Sequence, residues 1–409
     1  MKRLLVVFAL AVCAVFPAVA DEVTDWDAIM FQASLVPPAT SPLVMNRTAA
    51  IVQASVFDAL NGIERRYSPI HVQPAAPRGA SRRAAVVQAA YAALVHLYPA
   101  QAATLATQRQ LSLDAIASDS AAENSVSIAR GIEWGQYVAD QIWAWRLTDG
   151  FTPAPPPFLG GSNPGEWRPT APAFLPGAGP QFATMTPFAI QSPSQFRPAG
   201  PPALDSARFA SDVAEVQSMG SATSTSRGAD QTLEAQFWNA STAAYYWHRI
   251  ALNLSAQHNL TMSQNSRLLA LVSVAMGDAA IACWEAKYHY IFWRPITAIR
   301  TTIDPTWTPL LITPNFPEYP SGHSTVSGAA GAVIASFFGS DASFTVDSNV
   351  MLGVTRSFDS VAAATSEVND ARVFGGIHFR SAVNDGVATG VAVGNYVLQH
   401  ALLPVNGEE

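Results

Sequence analysis

Apolar residues recur at helical spacing through most of this chain, and no long run alternates apolar with polar as a half-buried strand would. Residues 49–63 read AAIVQASVFDALNGI, and residues 84–97, 125–145 and 233–254 repeat the same period. Ala, Leu, Gln and Glu fill these stretches, and all favour helix. The chain is therefore expected to be all-α. Residues 148–202 break the pattern with FTPAPPPFLGG, NPGEW, FLPGAGP and RPAGPP. Proline at this density forbids helix continuation and favours extended backbone. The expected organisation is an N-terminal helical bundle over 21–147, an irregular Pro-rich connection over 148–202 packed on the surface, and a C-terminal bundle over 203–409.

Residues 1–20 combine Lys2 and Arg3, an apolar run and the triplet Ala18-Val19-Ala20. That order predicts a cleaved export signal and a periplasmic or secreted protein. Cleavage removes two cations from a chain whose formal net charge is already −7. Such acidity argues against nucleic acid as a partner, because binding there depends on neutralising phosphates. It also removes Cys13 and leaves Cys283 alone, which excludes an internal disulfide and a zinc–cysteine centre. Four N-x-S/T sequons, at Asn46, Asn239, Asn253 and Asn259, read as chance. The most apolar later stretch, Leu268 to Trp284, is interrupted by Asp278, so no integral membrane segment is expected after cleavage.

Three short segments carry chemistry. In the first, Lys287 and Arg294 stand seven residues apart, which on a continuous helix places both on one face before Pro295 ends or kinks it. Two cations beside Trp284, Tyr290, Phe292 and Trp293 need an anion or a carboxylate, and Glu285 or Asp278 would serve as well as a ligand. Asp278 reads either as an arginine's support or as a plain helix-face ion pair. His289 points off the cationic face and reads as packed or exposed. In the second, prolines at 314, 317 and 320 precede SGHSTVSGAAGAVIASFF. Ser321 is a natural N-cap, with Gly322 and His323 in the first helical turn. Free amides and the positive end of the helix dipole suit an anion there, with His323 beside it as a proton carrier. An ordinary capped helix fits the same letters. In the third, Arg372 precedes Gly375-Gly376 and His378. The arginine offers a planar fork to an oxyanion, and the glycines permit an unusual path to the histidine. Alone, His378 reads first as a core histidine. Together the segments supply three fixed cations, a helix N-terminus and two histidines without a carboxylate cage. That inventory suits a tetrahedral oxyanion of about two charges.

The order K-x6-R-P, P-S-G-H, R-x5-H resembles the superfamily of vanadium-dependent haloperoxidases and type 2 phosphatidic acid phosphatases. The FWRP ending and the FPxYPSGH lead-in resemble its bacterial haloperoxidases. The motifs cover Lys287 to His378. The resemblance implies two helical bundles of the vanadium chloroperoxidase type and a vanadate cofactor. It implies that Lys287, Arg294 and Arg372 bind the equatorial oxygens, with Ser321 and the Gly322 amide adding hydrogen bonds. His378 would be the metal ligand, His323 the apical acid–base group, and Lys287 a partner of the peroxide. The implied substrates are hydrogen peroxide, halide and an organic acceptor, with hypohalous acid as product. Phe316 is a candidate halide-site residue, since the family's fungal chloroperoxidases carry Phe there and its algal bromoperoxidases His. An exported acid phosphatase, using His378 as nucleophile on a phosphomonoester and no cofactor, shares the pocket. A non-catalytic chain with a vestigial anion site is the third alternative. Two positions depart from the pattern S-R-x5-H-x3-D: Ala371 replaces the Ser, and Ala382 replaces the Asp that orients the histidine. Asp385 is the nearest acid in sequence that could stand in for it.

Overall fold

The computed structural model describes residues 21–119 and 123–405; the export signal expected over 1–20 lies outside them. The described chain is mostly helical. Its helices are α1 (Glu22–Leu35), α2 (Pro42–Glu64), α3 (Arg82–Leu97), α4 (Ala102–Ser118) and α5 (Ser125–Arg146). After the Pro-rich segment come α6 (Ala207–Met219), α7 (Ala229–Ala240), α8 (Ala243–His258), α9 (Met262–Tyr290), α10 (Pro295–Thr302) and α11 (Gly322–Phe338). Last are α12 (Val361–Phe374) and α13 (Arg380–His400). An antiparallel hairpin, β1 (Phe344–Asp347) and β2 (Thr355–Phe358), lies between α11 and α12.

The period-based helices recur with small changes. The expected helix over 233–254 is two, because Ser241 leaves helical geometry and Thr242 caps α8 by accepting the Tyr245 amide. The larger correction concerns Arg294. Helix α9 stops at Tyr290, and Ile291 turns the chain back in the left-handed region at φ 44°. That conformation is strained for a β-branched side chain. Arg294 then sits in extended backbone as the N-cap of α10, and Pro295 begins that helix rather than ending the previous one. Lys287 and Arg294 therefore belong to different elements.

Two three-helix units share one design. Helix α2 packs on α3 and α5; α9 packs on α11 and α13; α2 and α9 lie against each other. At the same position counted from the helix start, α2 carries Asp58 and α9 carries Asp278. Asp58 accepts the amides of Ile70, His71 and Val72, each at 2.8 Å. Asp278 accepts those of Phe188 (2.6 Å), Ala189 and Ile190 (both 2.8 Å). So Asp278 braces the Pro-rich segment, not an arginine. Ser81 caps α3 and Ser321 caps α11. A β-carbon at Gly131 or Gly135 of α5 would strike the Ser81 or Ala85 carbonyl, and one at Gly386 or Gly390 of α13 the Ser321 or Thr325 carbonyl. Small residues thus let each pair of backbones touch.

One hydrophobic core runs through both units, joining Trp26, Val86, Leu271, Ala330 and Val393. Helix α9 is long and apolar enough to cross a membrane, yet most of it is buried as the central core helix. Asp27 of α1, His248 of α8 and Ser273 of α9 form a buried relay, with Nδ1 to Asp27 at 2.7 Å and Nε2 to Ser273 at 3.0 Å. It resembles a hydrolase triad, but all three residues are at most 1% exposed, so it ties helices together and meets no substrate. The Pro-rich segment is more than a surface wrap: Trp167, Phe182 and Met185 are fully buried, and the Trp167 amide donates to the Ile291 carbonyl at 2.6 Å.

Candidate active site

The reversal at Ile291 and the irregular segment 314–320 bring the first two motifs against each other, and α12 delivers Arg372 of the third. Lys287 is wholly buried and donates to the carbonyls of Pro317 (2.9 Å), Glu318 (2.9 Å) and Pro320 (2.5 Å). All three of its N–H groups are engaged, so the expected direct bond to an oxyanion finds no free donor. Arg294 donates Nε to the Phe316 carbonyl (2.9 Å) and Nη1 to the Ile377 carbonyl (2.8 Å), and Nη1 lies 3.2 Å from His378 Nε2. Its Nη2 has no partner. Arg372 donates Nη2 to Asn239 Oδ1 at 3.1 Å, while Nε and Nη1 are buried without partners.

Ser321 accepts the Ser324 amide and hydroxyl, and its own amide donates to Ala382. Gly322 and His323 open α11. A β-carbon at Gly322 would stand 3.2 Å from Trp284. Gly376, at φ +75°, packs on Gly220 and Pro309 and bends the chain from Arg372 to His378, just before α13. Phe316 lies under the cations, its ring centre 5.1 Å from Lys287 Nζ and 4.7 Å from the Arg294 guanidinium carbon. Gly322, His323, Arg372, His378, Phe316 and Trp284 line one cavity of about 410 Å³. Its outer wall comes from Ser41 to Asn46 of the N-terminal half and from Ala178 to Phe182 of the Pro-rich segment.

Two acids were misjudged by sequence reasoning. Asp385 accepts the Tyr319 hydroxyl at 2.8 Å and faces Arg208 at 3.4 Å, away from His378. Glu318, which the motif reading passed over, is fully buried, and one of its oxygens lies 2.8 Å from His378 Nδ1 and accepts the Phe379 amide at 2.9 Å. Its only sequence signal is an acid within a Pro-rich apolar run, with no local cation in register. Glu285 pairs with Arg197 rather than Lys287, and His289 is exposed.

Electrostatics follow from this crowding. Burial and the neighbouring guanidinium of Arg294 push the Lys287 ammonium down to about 7, against the pull of Cys283 and Glu318. Arg294 and Arg372 are pushed down chiefly by burial. Both histidines are held well below their ordinary value by burial and then by the cations: Arg372 first for His323, Arg294 first for His378. Burial pushes the Glu318 carboxyl up to about 8, against the pull of Arg294 and the Phe379 amide. The site is thus a buried pocket of excess positive charge in which three guanidinium nitrogens have no partner among the described residues, beside two imidazoles that burial and the cations hold toward the neutral form. An anion that brings its own oxygen acceptors satisfies both deficits.

Comparison with known proteins supports the same assignment. Residues 267–407 match the family model of the VCPO second helical-bundle domain. A vanadium chloroperoxidase from Curvularia inaequalis is 29% identical over 191 residues, covering 39% of this chain; the match spans only 31% of that longer protein. The structure of the first bacterial vanadium-dependent iodoperoxidase aligns over 94% of this chain and 98% of its own, at 29% identity and a TM-score of 0.82. A holo-type bacterial vanadium-dependent chloroperoxidase shares the fold at 19% identity, with a TM-score of 0.72 over 88% of this chain and 92% of its own. Fold, motif order and relatives together support the superfamily of vanadium-dependent haloperoxidases and type 2 phosphatidic acid phosphatases, with residues 267–407 matching its second helical-bundle domain.

Proposed function

We propose that this protein is an exported, vanadate-dependent haloperoxidase that uses hydrogen peroxide to oxidise halide to hypohalous acid. The observation that carries the reading is the set of orphaned donors, Arg294 Nη2 and Arg372 Nε and Nη1, buried around His378. The donor set fits vanadate: two guanidinium groups for its oxygens, the amides at the start of α11, and the His378 imidazole for the metal. Bound there, vanadate would supply Lewis-acid activation of peroxide without changing its own oxidation state.

The chain's own residues do the rest. Arg294 and Arg372 neutralise and orient the anion. Lys287 contributes its charge and holds the 317–320 turn in place through three carbonyls. His323 borders the cavity and stays neutral, so it accepts a proton from an incoming peroxide and returns it to a leaving oxygen. Phe316 and Trp284 keep an apolar wall beside the cations, where a weakly hydrated halide replaces water at low cost. The export signal expected over residues 1–20 would put this chemistry in the periplasm or outside the cell.

The test uses the mature chain with orthovanadate, hydrogen peroxide, iodide or bromide, and a halogen-accepting dye. Dye halogenation that needs vanadate supports the proposal. Phosphomonoester hydrolysis that vanadate inhibits would replace it with the phosphatase reading, in which His378 attacks phosphorus. Absence of both activities and of vanadate binding would leave a vestigial anion site.

A further inference from the structure

We propose that Glu318 is the positioning residue for His378, fixing the imidazole so that the Nε2 lone pair faces the oxyanion cavity. The inference rests on the reading of His378 as the vanadate ligand. It begins from the missing acid. The family pattern places an orienting Asp where this chain has Ala382, which is fully buried among Phe209, Phe379 and Val383. Asp385 is occupied by Tyr319 and Arg208. A carboxylate nonetheless reaches the ring, from a residue 60 positions upstream.

The tautomer follows from counting donors. Glu318 Oε1 accepts the Phe379 amide at 2.9 Å and lies 2.8 Å from His378 Nδ1. On the other side of the ring, Nε2 lies 3.2 Å from Arg294 Nη1. A guanidinium has donors and no acceptor, so an Nε2 proton would collide with an Arg294 proton. Arg294 therefore demands the lone pair on Nε2, which leaves the proton of the neutral ring on Nδ1, facing Glu318 Oε1. A ligating histidine needs that lone pair, and a carboxylate on its far nitrogen both fixes the ring and strengthens the donor.

Glu318 is itself held. Its backbone carbonyl and those of Pro317 and Pro320 converge on Lys287, and the Phe379 amide that shares its oxygen belongs to the N-cap of α13. Lys287 thus acts on His378 at one remove, through the turn that carries Glu318. This chain supplies the orienting acid from the PSGH lead-in in place of the turn after the ligand.

The experiment uses the mature chain without vanadate and then with orthovanadate alone. Ring ¹⁵N shifts of His378, assigned by difference from His378→Ala, report the tautomer directly. The expected wild-type spectrum has a protonated Nδ1 and an unprotonated Nε2; the reverse pattern overturns the proposal. In Glu318→Ala the two tautomers are expected to mix, and orthovanadate affinity, read by equilibrium dialysis, to fall by about 10–100-fold. Glu318→Gln, whose amide oxygen still accepts from Nδ1, should lose less and serves where the alanine variant does not fold. A folded Glu318→Ala that keeps one tautomer and wild-type affinity refutes the role. If wild-type protein binds no orthovanadate, the cofactor reading fails, while the tautomer spectrum still decides whether Glu318 sets the ring.

Discussion

The unit of α2, α3 and α5 and the unit of α9, α11 and α13 are built alike, yet the cavity lined by His323, Arg372 and His378 lies at the serine-capped helix of the second, with the start of α2 adding to its lining. Each has a buried aspartate clamping a loop, a serine-capped middle helix and a glycine seam. They part after the serine. In α3 the next residues are Arg82 and Arg83; Arg82 pairs with Glu64 at 2.8 Å and Arg83 with Glu22 (2.7 Å) and Asp119 (3.0 Å). In α11 they are Gly322 and His323, near Arg294 and Arg372, whose Nη2 and Nε/Nη1 atoms respectively have no partner among the described residues. A capped helix N-terminus is thus common to both units and specifies nothing by itself. What distinguishes the second unit is charge left unmatched inside the fold, which costs stability unless a ligand completes it.

The comparison breaks most visibly at His378. His378→Ala should abolish vanadate binding and halide oxidation with the melting temperature nearly kept, whereas Arg83→Ala should leave both intact and cost under about 1 kcal/mol in urea unfolding. Equal losses of activity would erase the distinction between the units. Next come the aspartates. Asp58→Ala and Asp278→Ala each strand three backbone donors, and each should cost about 3 kcal/mol or more by denaturant unfolding. A large effect at one site and none at the other would refute their equivalence. The glycine seams should respond more mildly and in parallel. Gly135→Ala and Gly390→Ala press a methyl on a carbonyl and should each cost about 1–3 kcal/mol.

The smallest effect concerns the acids beside the second unit. Glu234 of α7 is buried with one oxygen unpartnered, and burial, then Glu367 and Asp370, push its carboxyl up to about 8. Its folded value exceeds its unfolded one, so the associated stability is present below about pH 4.5 and lost as pH rises through 8. Glu234→Gln should therefore stabilise the protein by roughly 1–3 kcal/mol at pH 9 and by almost nothing at pH 4.5, read as melting temperature against pH. A gain that does not depend on pH would locate its cause elsewhere.

Helices and their caps were legible because their signals are local: apolar period, Ser321 after a proline, glycine before His378. Arg294 was misplaced for the same reason. The apolar letters run on through Phe292 and Trp293, so the period continues while the backbone turns at Ile291, a residue whose identity argues against the conformation it adopts. Glu318 was invisible because its partners lie 60 and 61 residues away. The Asp27–His248 pair, 221 residues apart, is the same case. Sequence patterns show which groups are costly to bury; only the fold shows which of them meet.

The Ala178 carbonyl accepts both Trp284 Nε1 (3.0 Å) and the Tyr288 hydroxyl (2.8 Å), one turn apart on α9, and the Ala178 amide donates to Asn315 (2.7 Å). This stretch of the cavity lining is therefore fastened by a peptide group, which any residue at 178 other than proline supplies. The Gln181 side chain carries none of that fastening, whereas Gly179, at φ +66° with Leu43 against it, and buried Phe182 are held. Lineages sharing this cradle are free to change the lining at 181 while Arg294, Arg372 and His378 stay where they are, and a laboratory library at that position would explore the same freedom without touching the chemistry.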